Sequence, residues 1–252
     1  LINRSIEYNK EIIAYFQNYT ELPAVQLTED LYVNQRFSYD APIAFMLHLS
    51  PLPELKKKND YSDYLIQRAD GKLNLDNYRE ALKQFIYQSG FEKFWNKKQS
   101  FYKDMIRNTV ADMEKIDLIQ ELENYYNEKK ASYNVILSPS FSPNNYGVTI
   151  FEKGENIYSC NSAIPDENGI PFLRGEDLLY LVWHEFGHAF VNPLTDFYEE
   201  QVNSYARLMN PIRKEMEKQA YQDWTICVNE HIIRAVVVRL IDLHKSADEA
   251  KI

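Results

Sequence analysis

Residues 183–190 read WHEFGHAF, and the reading of this stretch decides the rest. His184 and His188 are four positions apart. On an α-helix that spacing sets both imidazoles on one face, a turn apart. Two nitrogens so placed can reach one Zn²⁺ at ~2.0–2.1 Å. Glu185 follows the first histidine, so it lies beside such an ion rather than on it, where its carboxylate can accept a proton from an activated water. The flanking residues, Leu178 to Phe190, are apolar on most sides, so the segment reads as a buried helix from Glu176 to Val191. Two histidines and a glutamate buried there are costly without partners. Asn192-Pro193 reads as the helix end, with Asn192 as its cap.

A catalytic zinc takes three protein ligands and leaves one position for water. The third candidate lies in NEHIIRA, residues 229–235, within a long apolar helix read from Asp223 to His244. Glu230 is the preferred ligand and His231 the rival. Arg234 stands four residues beyond Glu230 on the same helical face, so the two could also simply pair with each other.

Working outward, the segment before WHEFGHAF changes character. YNVIL (133–137), YGVTIF (146–151) and NIYSC (156–160) are short, β-branched and aromatic, and the residues between 152 and 156 suit a hairpin. They predict a small, mostly antiparallel sheet. The N-terminal part reads as helices at Arg4–Tyr19, within 39–49, at Asn77–Ser89, at Phe91–Met113 and at Glu114–Lys130, with Gly90 as a stop. After the motif helix, Asp196–Leu208 and Ile212–Ala220 read as two further helices. The aromatic stripe Phe94, Trp95, Phe101 and Tyr102 reads as core.

Composition narrows the function classes. The 252-residue chain has a formal net charge of −9, and its lysine runs at 56–58, 97–98 and 129–130 sit among acids and tyrosines. That is the opposite of a nucleic-acid footprint, so no nucleic-acid partner is expected. Glycine is scarce (7) and tyrosine abundant (19), which argues against a glycine-rich phosphate binder. The sequence has no P-loop, no GxGxxG, no EF-hand spacing and no serine-hydrolase elbow. No apolar run approaches the ~20 residues of a membrane span. Cys160 and Cys227 are too few for a disulfide scaffold and are read as buried free thiols. The chain begins at Leu1, which hints at a removed signal peptide or lipid anchor and hence at a secreted, periplasmic or cell-envelope location.

HEFGH followed by NEHIIRA resembles the gluzincins, the thermolysin-like zinc peptidases with a downstream glutamate ligand. The resemblance covers about residues 133–245. More narrowly, HEFGHAFVNP with EHIIRA is similar to a bacterial domain family of gluzincin type. It implies that His184, His188 and Glu230 bind zinc and that Glu185 is the general base. It also implies a small sheet before the zinc helix whose edge strand holds an extended substrate. One departure stands out. Thermolysin-like enzymes carry an aspartate four residues after the glutamate ligand, which orients the first histidine, and this chain has Arg234 there. The orienting acceptor must then be another group, with Asp196, Glu199, Glu200 or a carbonyl as candidates. The resemblance also implies a tyrosine or histidine aimed at the developing oxyanion. Tyr198, Tyr205, His231 and Arg234 are candidates, with Tyr205 and Arg234 favoured. His48 and His244 are read as uninvolved.

The expectation is therefore a predominantly helical α+β protein, with a helical N-terminal region at 1–130 and a gluzincin-like catalytic region at 131–252, or the two as one continuous domain. The expected activity is zinc-dependent hydrolysis of peptide or protein substrates. The alternative is a catalytically inactive, zinc-stabilised module that binds peptides or proteins.

Overall fold

The computed structural model describes residues 6–113, 117–140 and 144–244. The chain is mostly helical with a small mixed sheet. Among the described residues eight α-helices come first: α1 (Glu7–Phe16), α2 (Pro23–Asn34), α3 (Ala41–Leu47), α4 (Asp63–Arg68), α5 (Lys72–Ser89), α6 (Phe91–Lys97), α7 (Gln99–Met113) and α8 (Leu118–Tyr126). Three strands follow, β1 (Ser132–Ser138), β2 (Tyr146–Phe151) and β3 (Glu155–Ser162), then a two-stranded ribbon of β4 (Ile164–Pro165) and β5 (Pro171–Phe172). The described residues then form α9 (Gly175–Phe197), α10 (Glu199–Ser204), α11 (Arg213–Lys218) and α12 (Trp224–His244).

The sheet order is β1-β3-β2, with β1 parallel and β2 antiparallel to β3. The expected antiparallel hairpin is present between β2 and β3, joined by the three residues 152–154, of which Lys153 and Gly154 take positive φ. The expectation of a mostly antiparallel sheet does not hold for β1. Its chain crosses to the far side of β3 and returns in the same direction, a long-range choice that local turn chemistry does not encode.

Period-two alternation gives the sheet two working faces. Val148 and Ile150 of β2 point to a core built by the N-terminal helices, with Phe45, Leu49, Leu65 and Leu75. Tyr133, Val135 and Ile157 point to the other core, built on α9 and α12. Each buried valine or isoleucine here stabilises by about 2 kcal/mol. The sheet is thus a wall shared by the two halves. α8 also joins the second core through Leu118 and Leu122, and the Trp183 indole donates to the Leu118 carbonyl (3.0 Å).

Three helical expectations change. The chain stops being α1 near Phe16, but Pro23 then opens α2 at its first turn, as a fixed φ near −65° allows. Lys98 divides the expected 91–113 helix into α6 and α7. Pro193 does not close the motif helix: α9 continues to Phe197, so Asn192 lies inside it and is no cap. A proline at this point loses one ladder bond, while the buried Thr195 hydroxyl donates to Asn229 Oδ1 (2.6 Å) and ties this last turn to α12. The parts of the expected helices at residues 4–5 and 114–116 lie outside the described residues.

Candidate metal centre

Two helices build the site, and two glycines let them and the sheet come close. α9 carries His184, Glu185 and His188 on a stretch buried on nearly every side. α12 lies along it, with Ile233, Val237 and Leu240 in the shared core. A Cβ on Gly187 would stand 3.0 Å from Ile233 Cγ2, so glycine inside HEFGH lets α12 approach. On the opposite flank, a Cβ on Gly147 would stand 2.3 Å from the Glu185 carbonyl oxygen. No side chain fits between β2 and α9 there.

This packing delivers Glu230 to both histidines. His184 Nε2 is 3.3 Å from Glu230 Oε2, and His188 Nε2 is 3.5 Å from Glu230 Oε1. The three residues offer ligand atoms that all lie within 4.8 Å of one another. Direct charge-assisted hydrogen bonds would be nearer ~2.7–2.9 Å. Two ligands each ~2.0–2.1 Å from a tetrahedral ion stand about 3.3–3.4 Å apart. The spacing therefore suits an ion between the groups better than a direct contact. The donor set, two imidazole nitrogens and a carboxylate, is that of a catalytic zinc.

The surroundings fix these groups. His188 Nδ1 meets Asn192 Oδ1 at 3.3 Å, a turn further along α9. Tyr180 stacks on the His184 ring at 5.9 Å between centroids, while His184 Nδ1 is buried with no hydrogen-bond partner among the described residues. Tyr221, a buried residue of the segment between α11 and α12, donates its hydroxyl to Glu230 Oε2 (3.2 Å). The Arg234 guanidinium in turn donates to the Tyr221 hydroxyl. Among the described residues Arg234 makes no ion pair with Glu230, so it acts on the carboxylate only through the phenol.

The electrostatics follow from burial and neighbours. Burial pushes the Glu185 carboxyl up from 4.5 to about 7; the Glu230 charge adds to this, while His184 and a backbone hydrogen bond from Gly147 oppose it. Burial also lowers the pKa of His188, favouring the neutral ring that a metal needs. Burial alone would raise Glu230, but the His184 hydrogen bond and the charges of both histidines together hold it below its ordinary value. Burial pushes the Tyr221 phenol up to about 12, so it remains a donor.

Glu185, His188 and Glu230 line a cleft of about 300 Å³ with Asp40, Asn145, Asn192 and Asn229. Several sequence candidates lie elsewhere. Tyr205 is 57% exposed and Tyr198 46% exposed, and neither lines the cleft. His231, one residue on from Glu230, turns away around α12 and its ring bonds the Cys227 carbonyl (2.7 Å). Asp196, Glu199 and Glu200 are solvent-exposed, and the contact to a histidine comes from Asn192 instead. His48 bonds Asn59 (2.7 Å), away from the triad; the side chain of His244 lies outside the described residues. Both cysteines are free and buried. Tyr221 and Asp40 were not singled out from the sequence. Tyr221 lies nine residues before Glu230 among 19 tyrosines, and Asp40 reaches the cleft only through the tertiary fold.

Fold and site together define a mostly helical protein with a small mixed sheet and a His₂Glu triad able to hold a metal ion. The chain belongs to the family described as Domain of unknown function (DUF4932), whose model matches residues 2–251. No curated protein and no solved structure matches it.

Proposed function

We propose that the protein is a zinc-dependent metallopeptidase of the gluzincin type. The observation that carries this reading is the convergence of His184, His188 and Glu230 at 3.3 and 3.5 Å, with Glu185 beside them on the wall of an open cleft. His184, His188 and Glu230 would hold the ion. A bound Zn²⁺ would supply Lewis-acid polarisation of the scissile carbonyl and would acidify water. Glu185 accepts the proton of the attacking water and returns it to the leaving amine. The Gly147 amide holds the Glu185 carboxylate in place. Tyr221, kept protonated by its burial and carried by Arg234, fixes Glu230, while Tyr146 is the phenol that lines the cleft, a place that the exposed Tyr205 does not take. β2 is an edge of its sheet, so its outer backbone groups can pair with an extended peptide.

The test is zinc stoichiometry and cleavage of a quenched peptide library by the full chain and by Glu185→Gln. The variant should keep zinc and lose turnover by about 10²–10⁴-fold, the usual contribution of a general base. Equal cleavage by both forms would reject Glu185 as the base. Zinc retention with no cleavage by either form would support the inactive binding module instead.

A further inference from the structure

The wall of the cleft facing α9 comes partly from the N-terminal half, and it brings an acid. Asp40 lines the metal cleft with Gly147 and His188, and it also lines the adjoining groove along β2 with Val148 to Phe151. One carboxylate therefore stands where the two spaces meet. Asp40 occupies the N-cap position of α3, where an aspartate ordinarily accepts a bond from the first helical turn, yet its side chain makes no such bond. It accepts the Tyr64 hydroxyl through Oδ1 instead (2.8 Å). Among the described residues no lysine, arginine or histidine forms an ion pair with it, although its charge is felt by His188 across the cleft.

The carboxylate is held in place. Arg68 donates to the carbonyls of Arg36 and Ser38 and to the Tyr64 hydroxyl (2.6 Å), which clamps the loop ending at Asp40. The other two acids of the cleft have assigned neighbours, Glu230 with the histidines and Tyr221, and Glu185 with Gly147. The remaining wall carries no charge: Asn145, Asn192 and Asn229 are polar amides, and Tyr146 and Ile226 add an aromatic and an aliphatic side chain. A half-buried carboxylate with no cation of its own is the complement of a positive charge on the ligand.

Building on the hydrolase reading, we propose that Asp40 determines specificity and that the substrates are polypeptides presenting a cationic group beside the cleaved bond. A lysine or arginine side chain and a free α-amino group share that chemistry. Both would reach Asp40 from a chain laid along β2.

The test uses zinc-loaded full chain and three peptide pools: blocked termini with lysine, blocked termini with norleucine at the same positions, and free amino termini without lysine. Binding is read by fluorescence anisotropy on Glu185→Gln, and cleavage on the unmodified chain. The lysine or free-amine pool should bind about twofold to fivefold more tightly than the norleucine pool, as one partly exposed ion pair allows. Which of the two does so identifies the source of the cation. Adding Asp40→Asn should erase the advantage and Asp40→Glu should retain most of it, with zinc stoichiometry unchanged in both. Equal or absent binding of all pools, or a preference that survives Asp40→Asn, would overturn the proposal. Charge-selective binding without any cleavage would contradict the hydrolase reading and leave cation recognition standing. Cleavage without charge preference would do the reverse.

Discussion

Burial acts directly on the chemistry of Glu185. Its pKa rises from 4.5 to about 7 in the fold, with burial as the main cause. A raised pKa means that the folded state binds the proton more tightly than the unfolded state. The associated stability is complete below pH 4.5 and is lost as pH rises through about 7. In the metal-free protein, Glu185→Gln should therefore raise stability at pH 8 by on the order of 2–3 kcal/mol. The gain should vanish near pH 4. Urea melts at both pH values check this, and a pH-independent difference would contradict it. His188 behaves in the opposite sense. Its pKa is lowered by burial, so protons compete weakly for the ring, and zinc affinity should persist until pH falls below the ordinary histidine range. At Asn192, removal of the contact to His188 should weaken zinc binding about 10–100-fold, a loss that competition titration of Asn192→Ala against a chelator would show. The motif at 184, 185 and 188 was legible because four-residue spacing is a local property. Tyr221 and Asp40 were not, because both act through contacts that only the fold creates.

Elements carry the next lesson. α9 and α12 were legible from their apolar runs, and β2 and β3 from alternation on either side of a glycine-containing loop. The end of α9 was misread because Asn-Pro usually stops a helix. Here α9 runs past Pro193 into a mostly exposed last turn, in which the one buried residue, Thr195, bonds Asn229 of α12 through its hydroxyl. β1 was found as a strand but its direction was not, since pairing order depends on which strand inserts between the others. The two close approaches of α9 give a sharp mechanical test. Gly147→Ala would force β2 away from the Glu185 carbonyl, and overpacking of this kind costs about 1–3 kcal/mol. Thermal melting should show that loss, and cleavage should fall further than the stability loss explains, because the Gly147 amide also positions the base. A variant with normal stability and normal turnover would show that the approach is not needed.

At the scale of the molecule, the sheet joins two hydrophobic cores, and the metal cleft opens beside it. The chain's acidic balance, −9 overall, agrees with a cleft that collects cations rather than phosphates. No described helix is long and apolar enough to cross a membrane. The compositional change near residue 130 is real as a switch from helix to strand, yet α8 packs with α9 across it, so residues 118–126 share the core of the later half. Because the three candidate ligands on two helices converge only in the folded chain, an ion held there would link α9 to α12. Chelation should therefore lower the melting temperature, and restoring zinc should return it, by an amount that grows with free zinc above its Kd.

Diffraction from zinc-soaked crystals, recorded on both sides of the zinc absorption edge, tests the central claim most directly. The account predicts one strong anomalous peak about 2 Å from His184 Nε2, His188 Nε2 and a Glu230 oxygen, facing the cleft beside Glu185. A peak elsewhere, or none at these three side chains, would contradict it.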